Sequence, residues 1–327
     1  MIYDLELEAS EEDRPPCLPW VQPFGGLPFI ACLDGDEVVG PSQVQLHKEA
    51  SCAKLLQSCR NQRQGVLVLN NHIVQTVVVN TCLRPLSFFL TKRKLAEVAC
   101  TNWKRTLIAL RHDEPYPDPM SFEHNWVHRF DRFQLLRQFP LAERKAKLKH
   151  YTKFLFVRDP FVRLISAYRD KMQHYDQYFY QGYVRAILQL YKKQYNLPTN
   201  VTLARKTGVQ PSFYNFIQYI VDPRTERNAP FEPHWRQMFR LCHPCLVNYD
   251  FVGHQETLQE DAQELLKILK LEDDIKFPPS YENMASTDSV KDWFQSVPLK
   301  DRRKLYKLYE KDFQLFGYRR PTELLDE

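Results

Sequence analysis

The most constraining feature of this chain is a short apolar run that passes directly into a helix start. Residues 153–157, KFLFV, read as one strand, too short for a helix. Arg158-Asp159-Pro160 follows, and then FVRLISAYRDKM. Asp159 is a candidate N-cap, and Pro160 suits the first helical position. Phe161, Leu164, Ile165 and Tyr168 then form an apolar stripe at helical spacing. The unit is strand–loop–helix, with its polar residues gathered at the strand's C-terminal end.

Similar signals surround it. Residues 98–110, VACTNWKRTLIAL, read as a loop entering a helix, with Thr101 or Asn102 as cap and Trp103, Leu107 and Leu110 on one face. Residues 211–221 look helical, with Phe213, Phe216, Ile217 and Ile220 inward. Asn248 to Gly253 reads as a buried strand ending in a turn. Thr257-Leu258-Gln259-Glu260 is a capping-box pattern opening the next helix, and residues 301–315 make a last amphipathic one. Upstream, Val66–Leu69, the turn pair Asn70-Asn71 and Ile73–Val79 predict a hairpin. Strands alternating with helices predict an α/β layered fold with a largely parallel sheet.

Composition narrows the function classes. Only 9 of the 327 residues are glycine against 22 prolines, which argues against glycine-dependent nucleotide loops. Gly35 and Gly40 have P-loop spacing, but Pro41-Ser42 follows and the lysine is missing. No apolar run reaches the roughly 18 residues that span a membrane. The start, MIYDLELEASEEDR, is acidic and has no signal-peptide pattern. The formal charge of +5 says little, but residues 141–153 concentrate Arg144, Lys145, Lys147, Lys149 and Lys153. Such a run is either a solvated helix face or a surface that attracts a polyanion. Eight cysteines do not make a dense disulfide framework in a chain this long. Cys242-x-x-Cys245 reads as a structural disulfide or as core thiols. His234, His243 and His254 lack metal-site spacing, so no metal is expected. Asn200-Val201-Thr202 is a glycosylation acceptor only if the chain enters the secretory path.

Two segments carry candidate chemistry. Strand-to-helix loops at the carboxyl edge of a parallel sheet bind ligands, and helix N-termini suit phosphate. Arg158 offers a planar guanidinium at such a place and Ser166 a hydroxyl. Read alone, Arg158 and Asp159 equally make a capping salt bridge. VACTNWKR likewise gathers hydroxyl, amide and cationic groups, or is an ordinary capped helix.

Taken together, VACTNWKR and KFLFVRDPFVRLISAYRDK resemble the 5′-phosphosulfate and 3′-phosphate loops of the Golgi carbohydrate sulfotransferases, the group of the chondroitin 4-sulfotransferases and the HNK-1 sulfotransferase. VQPSFYNFIQYIVDP, APFEPHWRQMFRLCHPC, YDFVGHQETLQEDA and KLYKLYEKDFQLFGYRRP extend the resemblance over about residues 98–322. It implies a PAPS-dependent sulfotransferase fold, with a central, largely parallel sheet flanked by helices as in P-loop kinases. The co-substrate would be PAPS (3′-phosphoadenylyl sulfate) and the acceptor a chondroitin/dermatan-type polysaccharide, sulfated at the 4-hydroxyl of N-acetylgalactosamine. No nucleic-acid partner is implied. The family's setting is the Golgi lumen, as type II membrane proteins, though no anchor is read in this chain.

The resemblance also assigns roles. Arg158 and Ser166 would hold the 3′-phosphate, with Asp159, Pro160, Phe161, Val162, Arg163, Leu164 and Ile165 shaping the loop. Val98, Ala99, Cys100, Thr101, Asn102 and Lys104 would line the 5′-phosphosulfate. His234, in EPHWRQ, is the candidate base for the sugar hydroxyl, or else a packed partner of Trp235. Where the family has Pro-Lys, this chain has Ala96 and Glu97, and residues 1–97 show no resemblance. The expected organisation is a divergent, poorly ordered N-terminal segment, 1–97, and a sulfotransferase domain, 98–327. The alternative function is a catalytically impaired nucleotide- or glycan-binding relative.

Overall fold

A computed structural model describes residues 77–80, 87–90, 100–129, 132–227, 229–279 and 287–326. Its centre is a five-stranded sheet. The strands are β1 (Val77–Asn80), β2 (Ser87–Leu90), β3 (Gln134–Leu135), β4 (Thr152–Val157) and β5 (Phe251–His254), in the order β3-β2-β1-β4-β5.

The surroundings of β4 explain why its Phe154–Val157 stretch is continuously apolar. Phe154 and Phe156 join a core with Trp103, Leu107, Leu258 and Leu265 on one face. Leu155 and Val157 join another with Met238, Leu241 and Leu315 on the opposite face. Both faces are covered by helices, so no polar position alternates in. Helix α1 (Cys100–Ala109) lies on the first face, its Trp103 ring 4.9 Å from Phe154 and 5.2 Å from Phe156. The third core is helical. It joins Phe161, Leu164 and Ile165 of α3 (Pro160–Ala167) to Phe216 and Ile217 of α4 (Phe213–Val221), with Trp235, Tyr309 and Phe313.

The sheet is mixed, correcting the expectation of a largely parallel one. β4/β5 and β2/β3 are parallel, whereas β1/β2 and β1/β4 are antiparallel. Only six residues separate β1 from β2, enough for a hairpin and too few for a crossover. Its first strand takes in the end of the expected Ile73–Val79 strand, with β2 on one edge of Val77–Val79 and β4 on the other. The rest of the expected hairpin lies outside the described residues. β1 and β2 also lie upstream of residue 98, so the sheet draws strands from the segment expected to be separate.

The helix starts follow local chemistry. Asp159 caps α3, its carboxylate accepting from Phe161 N–H and Val162 N–H at 2.8 and 3.0 Å, and Pro160 opens the helix. α3 continues into a single π-helical turn, Tyr168–Met172. Ser212 and Asn215 form a reciprocal capping box on α4. The box expected at Thr257 and Glu260 does not form. A 3-10 turn, Gln255–Thr257, already precedes α6 (Leu258–Ile268), so Thr257 is not in the extended conformation that aims a cap.

The basic run is divided by its own folding. In α2 (Leu141–His150) Lys147 pairs with Glu143 at 3.0 Å, and Arg144 donates to Phe139 O. Lys153, on β4, pairs with Asp250 at 2.8 Å. Lys145 and Lys149 are the exposed ones. Cys242 and Cys245 are not bonded to each other. Cys242 ends α5 (Met238–Cys242) as a buried free thiol, and burial pushes its pKa up. His243 is left-handed (φ 47°), turning the chain so that Cys245 is exposed, and Cys245 is disulfide-bonded elsewhere. Among the described residues no helix is long and apolar enough to cross a membrane.

Candidate active site

The register Val157↔His254 sets the loops leaving β4 and β5 side by side at the carboxyl ends of a parallel pair. A ligand site is expected there. Arg158 leaves β4 and is buried. The two loops are stitched together: Asp159 N–H donates to Glu256 Oε1 at 3.0 Å, and Tyr318 O–H donates to Glu256 Oε2 at 3.0 Å. Burial holds the Asp159 carboxyl above its usual range, with Glu256 adding to the effect and the Phe161 and Val162 N–H groups opposing it. Burial and Glu256 likewise raise the Tyr318 phenol.

The expectation of free helix N–H groups for phosphate needs correction. The Asp159 carboxylate already takes Phe161 N–H and Val162 N–H, and Asp159 O accepts from Arg163 N–H at 2.9 Å. The segment's side chains read as anion contacts are Arg158, which is buried, and Ser166. Ser166 is half-buried on α3. Phe161, Leu164 and Ile165 are core residues. Arg163, 4% exposed, donates through Nη1 to Arg236 O (2.7 Å) and through Nη2 to Pro233 O (2.6 Å). It ties α3 to the segment carrying His234 rather than facing a ligand.

At the start of α1, Cys100 and Thr101 are half-buried and Asn102 and Lys104 buried. Asn102 Nδ2 donates to Pro278 O and Pro279 O at 3.2 and 3.1 Å. Thr101 Oγ1 lies 3.0 Å from His128 Nε2, and Lys104 Nζ 3.1 Å from His128 Nδ1. Val98 and Ala99, like Ala96 and Glu97, lie outside the described residues.

His234 is 1% exposed. Its Nδ1 is hydrogen-bonded to Glu232 Oε2, and that oxygen also accepts His234 N–H at 2.8 Å. The Phe179 ring meets it edge-on, with centroids 5.3 Å apart. A carboxylate behind an imidazole fixes the ring and its tautomer, as a general base requires, and also as a locked core pair would. Phe179 forms a wall of an open cleft of about 490 Å³ with Asp170, Lys171, His174, Tyr175 and Arg205. The cleft lies beyond the C-terminal end of α3, away from Arg158. Among the described residues no group of three His, Cys, Asp or Glu side chains gathers to hold a metal.

Sequence reasoning missed four residues at these places: His128, Glu232, Glu256 and Tyr318. Glu232 stood two residues from His234 in a singled-out motif, and Glu256 adjoined the strand signal. Tyr318 stood in the last of the quoted blocks, and nothing local marked His128; the roles of both come from tertiary contact.

The family model described as "Sulfotransferase family" matches residues 93–319, beginning upstream of the expected boundary at 98. Carbohydrate sulfotransferase 12 of Mus musculus is 49% identical over 241 residues, covering 70% of this chain and 58% of its own length. Carbohydrate sulfotransferase 11 of Rattus norvegicus is 38% identical over 231 residues (70% and 64%), and carbohydrate sulfotransferase 9 of Homo sapiens 33% over 234 (70% and 51%). The chain thus spans between half and two thirds of the length of these curated relatives. No solved structure matches it. A family match over residues 93–319, with a relative 49% identical over 70% of the chain, means that this protein belongs to the sulfotransferase family.

Proposed function

We propose that the chain transfers the sulfuryl group of PAPS to a hydroxyl of a chondroitin/dermatan-type glycan, the 4-hydroxyl of N-acetylgalactosamine, in the Golgi lumen. The observation that carries the reading is Arg158, buried at the carboxyl end of β4 with Ser166 on the helix that follows, in a chain of this family. The relatives' names, carbohydrate sulfotransferases, support a glycan acceptor.

In this reading Arg158 and Ser166 hold the 3′-phosphate, and the start of α1 with Thr101 and Lys104 holds the 5′-phosphosulfate. The acceptor hydroxyl attacks sulfur in line with the bridging oxygen. The new oxygen–sulfur bond forms as the bridging bond breaks, and adenosine 3′,5′-bisphosphate leaves. Positive groups near the bridging oxygen stabilise its developing charge. The hydroxyl proton passes to His234, held by Glu232. For the acceptor hydroxyl to reach the imidazole, the Phe179 ring packed edge-on against buried His234 must turn aside.

The test is incubation of the purified chain with radiolabelled PAPS and desulfated chondroitin. Labelled polymer that digests to 4-sulfated disaccharides supports the reading. Unlabelled polymer, with a matched relative active in parallel, refutes it.

A further inference from the structure

His128 sits between two residues of the α1 start and contacts both. Its Nδ1 is 3.1 Å from Lys104 Nζ and its Nε2 3.0 Å from Thr101 Oγ1. An ammonium only donates, so Nδ1 must accept. A neutral imidazole with an accepting Nδ1 carries its proton on Nε2. That Nε2–H then donates to Thr101 Oγ1. An imidazolium would set an N–H against the Lys104 ammonium, and the other tautomer would do the same. Only one protonation state satisfies both contacts.

The consequence falls on Thr101. A hydroxyl has one proton and accepts through its lone pairs. With His128 donating to the oxygen, the Thr101 proton is left to point away from the ring, as a donor. Thr101 is half-buried rather than enclosed. Lys104 contributes charge to the same turn and is itself buried. The polar groups therefore run in one direction, from ammonium through imidazole to hydroxyl.

We propose that His128 is a positioning residue of the donor site, polarised by Lys104 so that Thr101 presents its O–H to an anionic oxygen of the 5′-phosphosulfate. The proposal rests on the functional reading above and adds to it a residue 24 positions beyond Lys104. His128 does not touch the nucleotide. It sets which way a hydroxyl that does touch it can donate.

The test uses the full chain. Long-range ¹⁵N-edited NMR of the imidazole nitrogens reads the tautomer directly, independent of nucleotide and activity. Calorimetry with PAPS then compares Thr101→Val, His128→Leu, His128→Gln and the double variant Thr101→Val/His128→Leu. Losing a hydrogen bond to a charged group should weaken affinity by roughly ten- to a hundredfold. Thr101→Val and His128→Leu should each lose about that factor, and the double variant no more than Thr101→Val alone. His128→Gln, which offers an acceptor to Lys104 and a donor to Thr101, should recover most of the affinity. An Nδ1–H tautomer, multiplying losses in the double variant, or glutamine as damaging as leucine would each overturn the proposal while leaving PAPS binding by the parent chain intact. A parent chain that leaves PAPS unbound would defeat the functional reading, and this proposal with it.

Discussion

Arg163 was expected to shape a nucleotide loop, and the structure makes it a tie between α3 and the His234 segment. The two roles separate in the Arg163→Lys variant. The guanidinium reaches two carbonyls, Arg236 O and Pro233 O, from two different nitrogens. A lysine is a point donor on a flexible stem and cannot span both. At least one charge-assisted hydrogen bond is then lost, worth about 1.5–3 kcal/mol, with a buried carbonyl left unsatisfied. For a domain of this size that lowers Tm by about 3–6 °C. Arg163→Met removes both bonds and leaves two carbonyls without the guanidinium, which at about 1.5–3 kcal/mol each should cost roughly 3–6 kcal/mol. The assay is denaturant unfolding of each variant, alongside calorimetry with adenosine 3′,5′-bisphosphate. The tie predicts a large fall in stability and nucleotide affinity within about threefold of the parent. If Arg163→Lys leaves Tm unchanged but lowers nucleotide affinity tenfold, the guanidinium serves the ligand and the reasoning fails.

Further outcomes follow from the same geometry. Arg158→Ala should weaken adenosine 3′,5′-bisphosphate binding by roughly ten- to a hundredfold in calorimetry, and unchanged affinity in a folded variant removes Arg158 from the site. His234→Ala should lower turnover by on the order of 10²–10⁴ with nucleotide binding retained, and lost stability with near-normal turnover would make His234 structural. Asp312 is buried and accepts from Met238 N–H and Phe239 N–H at 2.7 and 2.9 Å, and burial raises its pKa from 3.8 to about 6. The folded state therefore holds a proton that the unfolded state releases between those values. The contribution is fully present below pH 3.8 and is lost as pH rises through 6, at up to about 1.4 kcal/mol per unit. Denaturation curves across pH 4–6 should show this slope in the parent and not in Asp312→Asn. Cys242 should resist alkylation in the native chain and react only after unfolding, as intact mass would show.

The elements with self-contained signals were legible. β4, the Asp159–Pro160 start of α3 and the stripe of α4 each follow from spacing and capping within a dozen residues. The sheet's pairing was not, because partners are chosen by distant segments. Val77–Val79 carry strand composition, yet nothing local says that β2 and β4 take their edges. In the site, residue type identified Arg158, Thr101, Lys104 and His234 as chemical groups. Their employment depended on neighbours far along the chain: Arg163 on two backbone carbonyls, Asn102 on Pro278 and Pro279, Lys104 on His128. The capping pattern read at Asp159 forms, where the backbone is not yet helical, and the one read at Thr257 fails, where a 3-10 turn already runs into the helix.

The pairing of β4 with β5 sets a timetable for the newborn chain. Phe154 and its partner Phe251 are separated by almost a hundred residues, and so are Asp159 and Glu256, whose contact closes the loop around Arg158. At ribosomal rates of about 5–20 residues per second, β4 emerges roughly 5–20 s before its parallel neighbour exists. During that interval its Phe154 and Phe156 face lacks Phe251, and its backbone lacks a ladder on that edge. Helices α3 and α4 are complete by then and can collapse on one another through Phe161, Leu164, Phe216 and Ile217. The loop edge around Arg158 therefore closes only after Glu256 and Tyr318 have emerged, and a chain released early would carry a partial helical layer, without Tyr309 and Phe313, beside an unfinished sheet.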